Sequence, residues 1–435
     1  MNSQTSFFKF LIGYCLSVFP LFLLIGPLIS EIILILSIIF SFYYIVTLNK
    51  SYFYLNRFSI FFIIFCLSTL VSTLINFYNF DYTKSGLFYF RLPLFALSIW
   101  FILQNCNLFN KKVVVFYILL FTIIITDSLI QFTTGENLIG YNIVKSRISS
   151  FFGDELILGG FLTRALPIFL IFLIMSGFLN EKKNTIYFSL FFSIAIVVTY
   201  LSGERTSFFL VILFFSTLFF SIKYLRKFII IMMISFVGLA FLLPKFSANE
   251  KLNPATRMFS KSYAQIIGKG EEQYEEYKQK IFKKVYIFSH DHHGHYMLSF
   301  KIFKDHIFLG TGPKGFRYLC RNKIYILEKD DGCSTHPHNT YVQILTSNGI
   351  VGFSLLLFAF IYIIKEIFRC KKKIINQKEF DKDLISESII VSAIFINLWP
   401  LIPSGNFFNN WLSMIYFYPI GFYLYFKHKN EKEIN

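Results

Sequence analysis

Long apolar runs broken by short polar or basic stretches fill most of this chain. Twelve of them approach the roughly 20 residues that a helix needs to cross about 30 Å of hydrocarbon. These predicted spans lie near residues 7–28, 31–48, 58–77, 87–103, 113–131, 156–178, 185–202, 206–222, 228–244, 346–366, 386–403 and 409–426. The first lacks a small-x-small cleavage pattern and reads as a retained helix rather than a signal peptide. No internal repeat is visible. Only residues 245–337 interrupt the alternation at length; they are polar and contain no span. The expected organisation is therefore nine spans over 1–244, one large loop over 245–345, and three spans with a tail over 346–435.

Composition agrees with the pattern. Of 435 residues, 55% are hydrophobic, 20% aromatic and only 15% charged, too apolar for a soluble domain. The chain is expected to be an all-α polytopic membrane protein. Lys50 and Arg57, Lys111 and Lys112, Lys182 and Lys183, Lys223 to Lys227, Arg369 to Lys373 and Lys427 to Lys432 fall in alternate loops. The positive-inside rule puts those loops, and both chain ends, in the cytoplasm. Much of the net charge of +17 is thereby topology beside an anionic leaflet, and no nucleic-acid partner is required: a basic stripe with interleaved aromatics is absent.

The long loop then falls on the outer side. Its stretch "KGEEQYEEYKQKIFKK" runs from acidic to basic, which suits a helix dipole and predicts a surface helix. Of six cysteines, only Cys320 and Cys333 share this loop; a disulfide between them fits an oxidising compartment, and two unpaired thiols are the alternative. Cys106 and Cys370 fall in loops expected inside.

Seven of the eight histidines lie between 290 and 338. The run "SHDHHGHY" contains zinc-ligand types, yet it lacks an H-E-x-x-H pair or a second cluster at fixed offset, so it reads as a solvated surface turn. His338 is better constrained. In "STHPHNTYVQILTSNGIVGF" (334–353) it stands at the start of a helix entering the membrane, where a neutral imidazole can accept a proton near neutrality. The plainer alternative is a histidine that caps that helix.

His338 and Asn339, followed by nine residues and then Gly349 and Gly352, resemble the His-[Asn/Ser/Gln]-x9-Gly-x-x-[Gly/Thr/Tyr] signature of the O-antigen ligase family, relatives of the O-antigen polymerases. "DHIFLGTGPKGFRYLC" (305–320) is similar to the family's Gly-x-Gly segment, through Gly310 and Gly312, and "SRISSFFGDELILGG" (146–160) resembles the opening of its mid-chain span. The layout is similar as well: about twelve spans, GT-C-like, with a large periplasmic loop late in the chain. One departure is "HHGHYMLSF", where many members carry an arginine before the Gly-x-Gly segment and this chain offers His293 or His295.

The resemblance implies a metal-independent glycosyltransferase of the bacterial inner membrane, with no cofactor and a site facing the periplasm. It would move a glycan from undecaprenyl pyrophosphate to a hydroxyl of a lipid A-core sugar or other glycan acceptor. The residue types suit that chemistry on their own terms. A pyrophosphate leaving group gains charge as the glycosidic bond breaks, and arginine offers a permanently charged bidentate fork. Arg147 and Arg205 share the outer side with His338. The plainer alternatives are a surface pair of Arg205 with Glu204 and a snorkelling Arg147. His338 is the expected general base, with His336 second to it and Asn339 beside it. Arg91 and Arg164 fall inside predicted spans, where an ionisable group is a functional hypothesis by default, and Asp127 is a candidate partner for either. A polymerase joining lipid-linked repeats uses similar chemistry. A transporter or flippase is the other class considered. About twelve spans, intramembrane charges and broken spans such as "LWPLIPSG" suit it, while the absence of visible repeated halves and the asymmetric loop count against it.

Overall fold

The computed structural model describes residues 11–76, 80–248, 290–325, 332–377 and 379–432. The expected surface helix over "KGEEQYEEYKQKIFKK" lies outside them. Among the described residues the chain is helical, with two isolated β-bridges and no longer strand.

Among the described residues a helical stretch over 11–17 is followed by ten further helices ahead of the long loop. They are α1 (Phe19–Ile25), α2 (Pro27–Thr47), α3 (Arg57–Ile75), α4 (Phe80–Leu87), α5 (Arg91–Asn105), α6 (Lys111–Thr134), α7 (Leu158–Met175), α8 (Lys182–Leu201), α9 (Arg205–Ser221) and α10 (Arg226–Leu242). After it come α11 (His290–Asp305), α12 (Gly315–Leu319), α13 (Thr340–Asn376), α14 (Lys382–Asn397) and α15 (Asn410–Lys432). A helix occupies each of the twelve predicted apolar runs. Among the described residues, eight helical segments are long and apolar enough to cross a membrane. The apolar α9 has 17 residues and α14 has 16.

The core is aromatic and aliphatic. α7 is buried along almost its whole length, where Phe169 stacks on Tyr117 of α6 and Phe192 of α8. By contrast α2 turns Leu28, Ile32, Leu36 and Ile39 outward, as an outer helix facing lipid tails does. Asn56 and Asn110 cap α3 and α6 by accepting the first free amides, which is why each helix starts where it does.

The basic stretches Lys111–Lys112, Lys182–Lys183 and Arg226–Lys227 open α6, α8 and α10 at one end of the bundle. At that same end Glu366 of α13 takes hydrogen bonds from Arg369 at 2.8 Å and Lys427 at 3.0 Å, and Arg369 also pairs with Glu387 of α14. This buried network ties α13, α14 and α15 together. The starts of α7 and α9 and the stretch after α14 line a cavity of about 1960 Å³ at the opposite end.

Two glycine segments meet near that cavity. α13 breaks at Gly349, whose φ is +63°. Into the break docks the segment ending in Gly310-Thr311-Gly312: Thr311 N donates to Thr346 O at 2.9 Å, Gly312 N to Ser347 O at 2.8 Å, and Ile350 N to Ile307 O at 2.8 Å. A Cβ on Gly310 would run into the backbone of Ser347 and Asn348, and one on Gly349 into the backbone of Phe308. Gly352 is pressed against the side chain of Asn348, and Asn348 Nδ2 donates to Thr69 Oγ1 of α3 at 2.8 Å.

Candidate active site

The His338 segment is held from three sides. Asn339 caps α13 by accepting the amides of Tyr341 and Val342, and its own amide donates to Pro400 O at 2.8 Å and Ile402 O at 3.1 Å. Ser404 N donates to His338 O at 2.8 Å. The "LWPLIPSG" run, expected inside a span, is therefore the loop after α14, and it forms a cradle for the histidines. Asn339, expected to contact substrate, is instead structural: its acceptor and donor are both spent on backbone, and it is not among the described residues lining the cavity. It also fills the capping role, which leaves His338 free of it.

On the second side Cys320 and Cys333 are joined in a disulfide, with Cα atoms 5.1 Å apart. The bond leads directly into Ser334, whose hydroxyl lies 3.1 Å from His338 Nε2. On the third side is α11, and here the sequence reading needs correction: from His290 onward the histidine run is helical, not a turn. Helical spacing of three puts His292 and His295 on one face, 5.6 Å and 5.2 Å from His338 between ring centroids. His295 Nδ1 lies 2.8 Å from Gly332 O. His336 completes the group, 4.0 Å from His338.

Two of these imidazoles, His338 and His336, resist charging. Burial lowers the pKa of His338 to about 3, and His336, His295 and His292 push the same way. Burial likewise lowers His336 to about 4, opposed by its contact with the Ser404 carbonyl and aided by His295, Arg317 and His292. His338, with φ of +58°, occupies a left-handed conformation that histidine adopts more readily than most residues.

The cations come from separate elements. Arg147 sits in a tight turn closed by reciprocal bonds between Val144 and Arg147. The loop around it is pinned to the end of α6: Asp127 accepts from Leu138 N at 2.9 Å and from Ser150 Oγ, and Gln131 Oε1 accepts from the amides of Ser149 and Ser150. Asp127 is thus a loop anchor and not the partner of Arg91 or Arg164. Arg147 Nη2 reaches Gly203 O at 3.4 Å, next to Glu204 and Arg205. The Glu204 carboxylate accepts from Gly159 N at 2.7 Å, Gly160 N at 2.9 Å and Ser207 Oγ at 2.8 Å, so it caps α7. Burial raises its pKa, opposed by those donors and by the charge of Arg147.

Arg147, Arg205, His336 and His338 all line the one cavity, as do Arg91 and Arg164. Arg164 bonds Asn397 Oδ1 and Gly160 O, while Arg91 pairs with Glu31. Sequence reasoning missed Lys314 and Arg317, which line the cavity too; Arg317 follows the Gly-x-Gly segment, whereas the reading looked for a cation before it. Arg147 Nε and Arg317 Nε are buried and lack a hydrogen-bond partner among the described residues. A buried guanidinium N–H left unpaired in this way suits an anion. Among the described residues no three His, Cys, Asp or Glu side chains are arranged to hold a metal ion, although the four imidazoles are close.

No curated protein matches the chain. A match to a family does exist, and it covers part of the site just described. Residues 190–357, which hold Arg205, Gly310, Gly312, Arg317, His338, Gly349 and Gly352, match the family described as O-antigen ligase, and the match supports placing the chain in that family.

Proposed function

We propose that the chain is an O-antigen ligase that moves a glycan from undecaprenyl pyrophosphate to a sugar hydroxyl of the lipid A core. The observation that carries this reading is the convergence of His338, Arg147, Arg205 and Arg317 on one cavity. In the reaction the acceptor hydroxyl attacks the anomeric carbon, its proton passes to His338, and the bond to the pyrophosphate oxygen breaks with the electron pair leaving on the phosphate. Neutral His338 can take that proton, work that contributes typically about 10²–10⁴ in rate. The Nε–H groups of Arg147 and Arg317, together with Arg205, meet the charge that develops on the leaving group. An incoming pyrophosphate also raises the affinity of His338 for a proton, since a nearby anion favours the charged imidazole. The cavity lies at the end of the bundle away from the lysine-rich stretches, which under the positive-inside rule is the periplasmic face of the inner membrane.

Analysis of lipopolysaccharide from a strain lacking this chain tests the reading. The expected result is long lipid-linked glycan left unattached to the core. Core carrying single repeats would point to a polymerase acting on two lipid-linked glycans.

A further inference from the structure

The cavity of about 1960 Å³ is larger than the roughly 300–1,000 Å³ typical of small-ligand pockets, and its basic groups account for only part of its wall. A second group of polar side chains lines it from other helices: Glu31 of α2, Arg91 at the start of α5, and Asn410 and Trp411 at the start of α15. These differ in kind from the arginines of the basic group.

Arg91 spends its fork on the protein. Its Nε pairs with Glu31, Nη1 donates to Phe88 O at 2.6 Å, and Nη2 donates to Asn410 Oδ1 at 2.9 Å. Its charge is matched by a carboxylate in direct contact. A second phosphate would have to displace Glu31 or sit beside it, and like charges in a partly buried site repel strongly. What the group offers is a neutral set of hydrogen-bonding atoms: the Glu31 Oε2 acceptor, buried and without a partner among the described residues, the side-chain amide of Asn410, and an indole. The Trp411 ring is fixed by Nε1 donating to Leu23 O at 2.9 Å and by an edge contact with Phe152.

We propose that Glu31, Arg91, Asn410 and Trp411 form a subsite for a neutral sugar ring, distinct from the arginine site for pyrophosphate. A sugar hydroxyl both donates and accepts, so it can satisfy Glu31 Oε2 and bond Asn410 at once, while its C–H face lies against an aromatic wall. The inference rests on the glycosyl-transfer reading for the origin of the sugar, which is either the donor glycan or the acceptor.

The test uses the full-length protein in nanodiscs and two donor-type lipids, undecaprenyl pyrophosphate with and without its glycan. Glu31→Gln and Trp411→Ala should leave affinity for the sugar-free lipid unchanged. Each should weaken either binding of the glycan-bearing lipid or the KM for the acceptor by roughly tenfold, through a lost hydrogen bond in Glu31→Gln and a lost aromatic contact in Trp411→Ala. The first result assigns the subsite to the donor glycan, the second to the acceptor. Trp411→Phe, which keeps an aromatic wall and packs with less disturbance, should retain most of the affinity. Equal loss for both lipids, or no change in any of the three measurements, overturns the proposal. Parent protein that binds neither lipid would count against the donor reading instead, and binding of the free oligosaccharide to parent but not to Glu31→Gln would then still decide the subsite.

Discussion

Gly310 and Gly349 meet backbone to backbone, with φ of +68° and +63°, and between them they seat the Gly-x-Gly segment in the break of α13. Any side chain at either position meets the other strand of the joint and a backbone angle that L-residues avoid, a strain of about 1–3 kcal/mol before the clash is counted. Gly310→Ala and Gly349→Ala should therefore lower the thermal midpoint and the yield of inserted protein. Gly238→Ala, at a helical site with no neighbour within 4 Å of the new Cβ, should not. Equal midpoints for all three would contradict the joint.

The disulfide between Cys320 and Cys333 closes a loop of sequence separation 13, worth about 3 kcal/mol by the chain-entropy estimate. It also sets Gly332 and Ser334 against His295 and His338. Replacing both cysteines with serine should cost stability and lower kcat together, and reductant should reproduce the effect in the parent only. Thiols that alkylate freely in protein purified without reductant would rule the bond out.

Replacing Arg205 by lysine separates two accounts of that residue. A point ammonium cannot copy a two-pronged contact to phosphate oxygens, so Arg205→Lys should weaken donor binding substantially. If Arg205 served only Glu204, lysine would be tolerated; the Glu204 carboxylate, however, is already engaged by Gly159, Gly160 and Ser207.

Lowered pKa values of about 3 for His338 and about 4 for His336 give a sign for the pH response. Unfolded histidine titrates near about 6.5, so below that pH the unfolded chain binds protons that the folded site refuses. Stability should therefore fall as pH drops from about 6.5 toward 4, seen as a falling thermal midpoint that His336→Ala flattens. Activity should hold below pH 6.5 for the same reason. Because bound pyrophosphate favours the imidazolium, the acid limb of kcat should lie at higher pH than that of kcat/KM. An activity that halves at pH 6.5 in both profiles would contradict the buried, neutral cluster.

The bundle was legible because apolar runs of span length leave a helix few alternatives, and the positions of Arg147, Arg205 and His338 followed from the same alternation. What escaped depended on partners distant in sequence. Gly310 and Gly349 belong to one joint, but nothing in either motif names the other. Asn339 looked functional because it adjoins His338, whereas its partners are the carbonyls of Pro400 and Ile402. Asp127 invited pairing with an arginine, and its partners are loop donors. His292 and His295 are the instructive miss. Their spacing of three marks one face of a helix, but polar composition suggested a turn, and packing against His338 decided the matter.

The central claim is that His338 takes the acceptor proton while the arginines hold the pyrophosphate. Its most direct test is single-turnover glycan transfer by purified, inserted His338→Ala protein, with donor affinity measured on the same sample. Transfer should fall by about 10²–10⁴ with donor affinity nearly unchanged, the signature of an interaction made only in the transition state. Transfer at the parent rate would contradict the account and leave His338 a structural member of the imidazole cluster.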